Sequence, residues 1–356
     1  MMNITAQRLQ SQHISVPVFE KPADIVQQLG AVQSQDYAGA KWAIGMRSQD
    51  ATDAVLEEAF DAGSILRTHV MRPTWHFVTP ADIRWMLELT APRVNALAAG
   101  MYRNLELDKA TFTRCNKLLA KALQGDNYLM RTELMTLLEK AKIVTTGLRG
   151  THIMFRAELD GIVCSGPRKG KQFTYALLEE RAPQAKILKR EEALGELTLR
   201  YFNGHGPATV ADFVWWSGLT ATDARKGLDI VGRQLTPETI AGQIYWCAPG
   251  TIPVKSNAAC LLPAYDEYTV GYRDRSAMII AEHEQQVSRG NVIFSPQVLI
   301  NGRTVGVWQR TLQKDTVTVT ISPFTPLNKV QLQSVTAAAK RYAKFLGLAL
   351  RLTFAK

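Results

Sequence analysis

The sequence predicts a mainly helical α+β protein, and three observations predict it. A loosely repeated order, helices followed by two short strands around a tight turn, recurs three times before about residue 250. After about residue 255 the pattern changes to short β-rich runs with one long helix. No low-complexity stretch or long Pro/Gly/Ser linker separates these parts, so they should pack closely. With 356 residues, two or three domains are expected rather than one.

In the first unit, Thr5–Gln12 and Asp24–Leu29 read as helices, and Thr52–Ala62 as a third with Thr52 as N-cap and Glu57 and Glu58 on its surface. Ile65–Met71 and Trp75–Val78 then read as strands around Arg72-Pro73. The second unit repeats this with Lys109–Leu123, Arg131–Lys140 and Thr151–Leu159 as helices. Gly161–Ser165 and Gln172–Leu177 flank Gly166-Pro-Arg-Lys-Gly170, a hairpin turn with two glycines and a proline. The third has helices at Glu191–Asn203, Thr209–Ser217 and Thr220–Asp229, and a candidate strand at Gln243–Cys247.

A helix, a short break at Gly218 and a second helix are the helix-turn-helix layout, and a following hairpin makes it a winged helix. A generic α+β protein with hairpins is the plainer reading of any one unit, but three in series favour tandem winged helices. The expected boundaries are 1–100, 101–187 and 188–254 for the three units, and 255–356 for a separate small sheet domain. Within that last part, Val292–Phe294, Gln297–Ile300, Thr304–Leu312, Thr316–Ile321 and Ala349–Phe354 read as strands and Val330–Leu346 as the helix.

Composition narrows the function. The hydrophobic fraction of 46% and charged fraction of 21% suit a folded globular chain. Lys and Arg number 42 against 32 acidic residues, a net charge of +10, and residues 101–190 hold most of the surplus with 17 basic and 9 acidic side chains. Such a balance favours a polyanionic partner, with nucleic acid ahead of a membrane surface, although many basic proteins bind no polyanion. No apolar run approaches the ~18 residues of a membrane span, and the N-terminal segment lacks a signal-peptide layout. Cys115, Cys164, Cys247 and Cys260 lie far apart, which argues against zinc and disulfides and makes a cytoplasmic address the expectation. There is no phosphate loop, no G-x-G-x-x-G after a strand, no H-E-x-x-H and no G-x-S-x-G elbow. No cofactor and no metal are expected.

What remains unusual is Gln33-Ser-Gln35, followed by Asp36 and Tyr37. On an extended backbone residues i and i+2 point to the same side, so two amides could converge on one water, while Asp36 would face the other way. Two solvated loop glutamines are the commoner outcome for such a segment.

The segment Gln33-Ser-Gln35-Asp-Tyr-Ala-Gly-Ala-Lys-Trp42-Ala-Ile-Gly, with Arg72-Pro-Thr-Trp-His76-Phe-Val, resembles the winged-helix DNA-binding family that includes the AlkZ-like and YcaQ-like DNA glycosylases. So do Arg149-Gly-Thr-His152, Gly206-Pro-Ala-Thr-Val-Ala-Asp-Phe-Val-Trp-Trp216-Ser-Gly, Leu262-Pro-Ala-Tyr-Asp266-Glu-Tyr, Gly271-Tyr-Arg-Asp-Arg275 and Val305-Gly-Val-Trp308, in order over nearly the whole chain. The resemblance implies three tandem winged helices around a concave basic DNA-binding channel. It also implies hydrolysis of the N-glycosidic bond of purines alkylated at N7 or N3, with unhooking of interstrand crosslinks, on double-stranded DNA.

Gln33 and Gln35 match the Gln-x-Gln form of that family's catalytic signature. An N7- or N3-alkylated purine is cationic and already primed to leave, so no strong acid is needed. Glutamine cannot act as a general base, and its remaining task is to place a water. No lysine is implicated as a nucleophile, which implies a monofunctional enzyme; a monomer, associated with the nucleoid, is expected. A non-catalytic winged-helix DNA-binding regulator is the rival reading, and the glutamine pair discriminates against it.

The turn carrying Arg168, Lys169 and Lys171 is the expected phosphate-contacting tip, with a merely solubilising turn as the alternative. Arg149 and His152, at the start of the preceding helix, are the next candidates for DNA contact. Trp75, Trp215 and Trp216 read as core rather than as stacking platforms, and Asp266, Asp274 and Arg275 as structural or docking residues.

Overall fold

A computed structural model describes residues 3–250, 258–289 and 293–355 and shows a mainly helical α+β chain. Three segments repeat one order of elements. In the first, helix Pro22–Leu29 leads to strand Val32–Gln33, helices Tyr37–Gly45 and Asp53–Asp61, and the hairpin Leu66–His69 with Trp75–Val78. The hairpin's second strand lies in the middle of a three-stranded antiparallel sheet, between Val32–Gln33 and Leu66–His69. The second segment matches it: helix Lys109–Leu123, strand Leu129–Met130, helices Arg131–Lys140 and Leu148–Leu159, then Val163–Ser165 and Thr174–Leu177, again with the last strand central. The third has helices Arg190–His205, Val210–Ser217 and Ala221–Val231 and the hairpin Thr236–Ile240 with Gln243–Cys247. There the short first strand is reduced to a single bridge between Ala208 and Trp246.

Local sequence accounts for these elements. Thr52, Thr209 and Thr220 accept hydrogen bonds from the first helical turns they precede, as N-caps should. The helix Val210–Ser217 stops at Gly218, whose φ of +69° suits glycine. Its Cα also sits so close to the carbonyl of Met71 that a Cβ would not fit, which ties the third segment to the first hairpin's turn.

Two helices longer than one turn, among the described residues, are absent from the elements read off the sequence. Tyr37–Gly45 is buried on nearly every side, so it has no polar face to make a helical period. Ile83–Asn104 spans 22 residues with Pro92 inside it, and an internal proline ordinarily signals a break. Strands Thr236–Ile240 and Ala259–Leu262 are likewise absent from that reading.

The C-terminal part is a five-stranded sheet in the order Ala349–Phe354, Thr316–Pro323, Arg303–Leu312, Gln297–Ile300, Ala259–Leu262. Its neighbours are antiparallel except for Ala349–Phe354, which returns parallel to Thr316–Pro323 after helix Lys329–Leu346. Val292, taken above as the start of a strand, and the boundary between residues 254 and 255 lie outside the described residues.

This sheet shares one apolar core with the first segment, through Trp42, Ile44, Leu261, Trp308 and Tyr342 among others. The indole of Trp42 donates to the carbonyl of Leu261 (2.6 Å), and that of Trp308 to the carbonyl of Leu262 (2.8 Å). Arg47 closes the contact with a bidentate pair to Asp266, both bonds 2.8 Å and both side chains fully buried. A buried guanidinium needs such a partner, because isolated charge is costly in an apolar interior. Asp266 thus has the structural role expected of it.

Candidate active site

The glutamine pair sits at a strand-to-helix junction. Ser34 donates its N–H to the carbonyl of Trp75 (2.8 Å), which makes Gln33 and its cross-strand partner His76 a non-hydrogen-bonded pair. Side chains of such a pair lie close together on one face. The backbone N–H of Gln33, turned away from the sheet, donates to Oε1 of Glu267 (2.8 Å). Two residues on, Asp36 caps the helix Tyr37–Gly45 by accepting from Gly39 N–H (3.1 Å). The carboxylate next to the glutamines is therefore spent on a helix terminus.

Gln33 and Gln35 line the same cavity, of about 270 Å³. Gln33 is buried and its Oε1 has no hydrogen-bond partner, whereas Gln35 is exposed at the mouth. Arg72 and Thr74 from the turn of the first hairpin, Trp215 from the third segment, and Tyr265, Arg275 and Phe294 from the C-terminal part complete the walls. Trp216 is core, as expected, but Trp215 is half-buried and faces the cavity, and so does Arg275. The reading of Trp215 is corrected, because adjacent helical positions point different ways; Arg275 docks by stacking on Trp215 (5.3 Å) and Phe294 (4.7 Å), as a docking residue should, and lines the cavity as well. Among the described residues that line it there is no lysine and no carboxylate.

Charge behind the wall is arranged to stay fixed. Burial opposes ionisation of Glu267, but hydrogen bonds from His205 and from the Gln33 N–H outweigh it and hold its pKa at about 2. Its Oε2 also accepts from the indole of Trp216 (2.8 Å). His76 is fully buried, and burial together with the charge of Arg72 lowers its pKa to about 3, so its ring is neutral. Nδ1 of His76 lies 2.9 Å from the carbonyl of Thr74, an acceptor only, so that nitrogen carries the proton. Glu267, Arg72 and Arg275 are the residues sequence reasoning did not place in this site, although all three fall within the quoted motif blocks.

The basic turn of the second hairpin is docked on the first segment. Arg168 bonds Glu57 (2.9 Å) and the carbonyl of Lys171 (2.8 Å), and its own N–H donates to Asp61 (2.7 Å). Glu57 also holds Lys41 and the Tyr37 hydroxyl, so it is a junction and not the free surface residue expected. Lys169 donates to the carbonyl of Tyr128 (2.7 Å), and only the ammonium of Lys171, among the described residues of this turn, is without a protein partner. The expected three-charge tip is thereby reduced to one unpaired charge, because nearby acceptors on other elements capture the other two. Arg149 gives its guanidinium to the carbonyls of Val144, Leu105 and Glu106. His152 lines a second, apolar cavity of about 350 Å³ with Trp75, Leu97 and Phe155, and Pro73 lies between this cavity and the first. Trp75, expected in the core, is a wall of it.

Among the described residues no cluster of His, Cys, Asp and Glu could hold a metal ion, and no helix is long and apolar enough to cross a membrane.

Comparison with known proteins gives concordant matches. The family model described as DNA glycosylase AlkZ-like matches residues 26–345. An interstrand DNA cross-link repair glycosylase of Streptomyces sahachiroi is 27% identical over 363 residues, covering 97% of this chain and 96% of that protein. The solved structure of Streptomyces sahachiroi DNA glycosylase AlkZ is similar with a TM-score of 0.82 at 23% identity, over 99% of this chain and 98% of that one.

Proposed function

From the premise that this chain belongs to the AlkZ-like DNA glycosylase family, we propose that it is a monofunctional glycosylase that hydrolyses the N-glycosidic bond of N7- or N3-alkylated purines in double-stranded DNA. Unhooking of interstrand crosslinks is part of the proposal, and the name of the Streptomyces sahachiroi relative supports it. Three winged helices would form a concave DNA channel, with the cavity of Gln33 and Gln35 opening onto it. The enzyme would act as a monomer on nucleoid DNA in the cytoplasm.

One observation carries the reading: Gln33 and Gln35 meet in a single cavity with no carboxylate and no lysine among its described lining residues. Such a site has no general base and no amine nucleophile, so it suits a substrate whose leaving group is activated beforehand. An alkylated purine is one, because the C1′–N bond electrons return to a ring that already carries positive charge. The buried Oε1 of Gln33, unpartnered in the protein, and the side chain of Gln35 would hold a water against C1′. That water's oxygen bonds C1′ as the glycosidic bond breaks, and its proton leaves to solvent. Positioning and oriented dipoles of this kind contribute several kcal/mol, on the order of a thousandfold in rate.

The test is incubation of the purified protein with duplexes carrying N7-methylguanine or an N7 crosslink. Free base and alkali-labile abasic sites, without strand nicking before alkali, are the expected products. Binding without base release would return the regulator reading, and nicking without alkali would exclude the monofunctional one.

A further inference from the structure

The block Arg72-Pro-Thr-Trp-His76 supplies nothing to the hydrolysis described above, yet Arg72 lines the same cavity as Gln33 and Gln35. Its Nε and Nη2 are buried and have no partner in the protein. These two nitrogens form one edge of the guanidinium, the edge that grips an oxyanion with two parallel hydrogen bonds. Arg275, in the same cavity, spends its Nε on the carbonyl of Thr269 (2.9 Å) and leaves its Nη2 buried and unpartnered. Glu284 and Asp274, both exposed, also act on Arg275, but the buried acidic groups that act on the two guanidiniums are committed elsewhere. Glu267 is taken up by Gln33, His205 and Trp216, and Asp212 by Thr209 and the N–H groups of Arg273 and Asp274.

A buried donor without an acceptor needs an explanation, and where two such guanidiniums line one cavity a ligand with acceptor oxygens would provide it. The sign of the charge matters as well. Bare guanidiniums beside a sugar that develops positive charge would oppose the reaction, so an anion has to sit on them while C1′ reacts.

We propose that Arg72 and Arg275 form a phosphodiester clamp. It takes one backbone phosphate flanking the lesion nucleotide, Arg72 through its Nε–Nη2 edge and Arg275 through Nη2, and so sets C1′ over the water held by Gln33 and Gln35. The clamp rests on the glycosylase reading for the identity of its DNA, but its test does not need base release.

The probe is a duplex with a tetrahydrofuran abasic analogue, in which either flanking phosphate is replaced by an uncharged methylphosphonate, and binding is read by fluorescence anisotropy. At one of the two positions the replacement should weaken wild-type binding by at least about tenfold, the size of a single charge-assisted hydrogen bond, since three such bonds meet on that phosphate. Arg72→Gln should weaken binding to the unmodified duplex and then be clearly less sensitive to that replacement than the wild type, Arg275→Gln should behave likewise, and the double variant should be insensitive to it. Arg72→Lys, which keeps the charge and folds with least disturbance, should recover only part of the loss because it lacks the two-pronged edge. If neither position matters, or if the losses from variant and replacement multiply, the clamp is overturned. A wild type that shows this coupling but releases no base from alkylated DNA would keep the clamp and sink the glycosylase reading.

Discussion

The backbone N–H of Gln33 is held by the carboxylate of Glu267, 2.8 Å away and 234 residues later in the chain. The strand that ends at Gln33 is thus fixed from behind by the C-terminal part, and the side chain of Gln33 is left for the cavity.

Gln33→Ala and Gln35→Ala should each remove most base release and leave DNA affinity within a few-fold, since neutral amides add little attraction for phosphate. The expected loss in single-turnover rate is on the order of 10²–10³, as for other preorganised dipoles. Wild-type rates in both variants would reassign the water.

Glu267 should make the fold acid-sensitive. Its pKa is 4.5 when unperturbed and about 2 here, so the stability it contributes is complete above pH 4.5 and drains away as pH falls towards 2. The gap in thermal midpoint between wild type and Glu267→Gln should therefore close over that interval. A gap that stays constant with pH would show that the carboxylate is not charged in the fold.

Breaking the buried pair should be costly. Arg47→Ala leaves Asp266 unpaired in the core, and a loss of about 3–5 kcal/mol is expected from urea unfolding. Replacing both by apolar residues should cost less than the single change, because no orphaned charge remains. An additive double mutant would contradict the pairing.

The basic turn should separate into two effects. Lys171→Ala should lower the slope of log K against log salt by about 0.9, one phosphate contact, with the thermal midpoint unchanged. Arg168→Ala should instead lower the midpoint, by freeing the turn from Glu57. A triple change of Arg168, Lys169 and Lys171 should then shift the slope by about one contact and not three. A shift of two to three would mean the protein contacts of Arg168 and Lys169 are exchanged for phosphate on binding.

Much of the fold was legible because its signals are local. Threonine caps, the glycine-proline turn of the second hairpin and the apolar spacing of Lys109–Leu123 each act within a few residues, where side-chain period and backbone preference decide the element. Gln33 and Gln35 line one cavity, but strand geometry accounts only for Gln33, because the strand ends there and Gln35 lies in the bend before helix Tyr37–Gly45. Tyr37–Gly45 and Ile83–Asn104 escaped because one is buried all round and the other contains a proline, and in both packing outweighs the local signal.

What the tertiary structure alone decided is which distant groups meet. Glu267 behind Gln33, Arg72 and Arg275 on the wall of one cavity, and Glu57 capturing Arg168 are juxtapositions set by through-space distance across separate elements. Charge counted along the chain says how many guanidiniums exist. Whether one is spent on a neighbouring carboxylate or left with open donors beside a cavity depends on the acceptors that folding brings within about 3 Å of it.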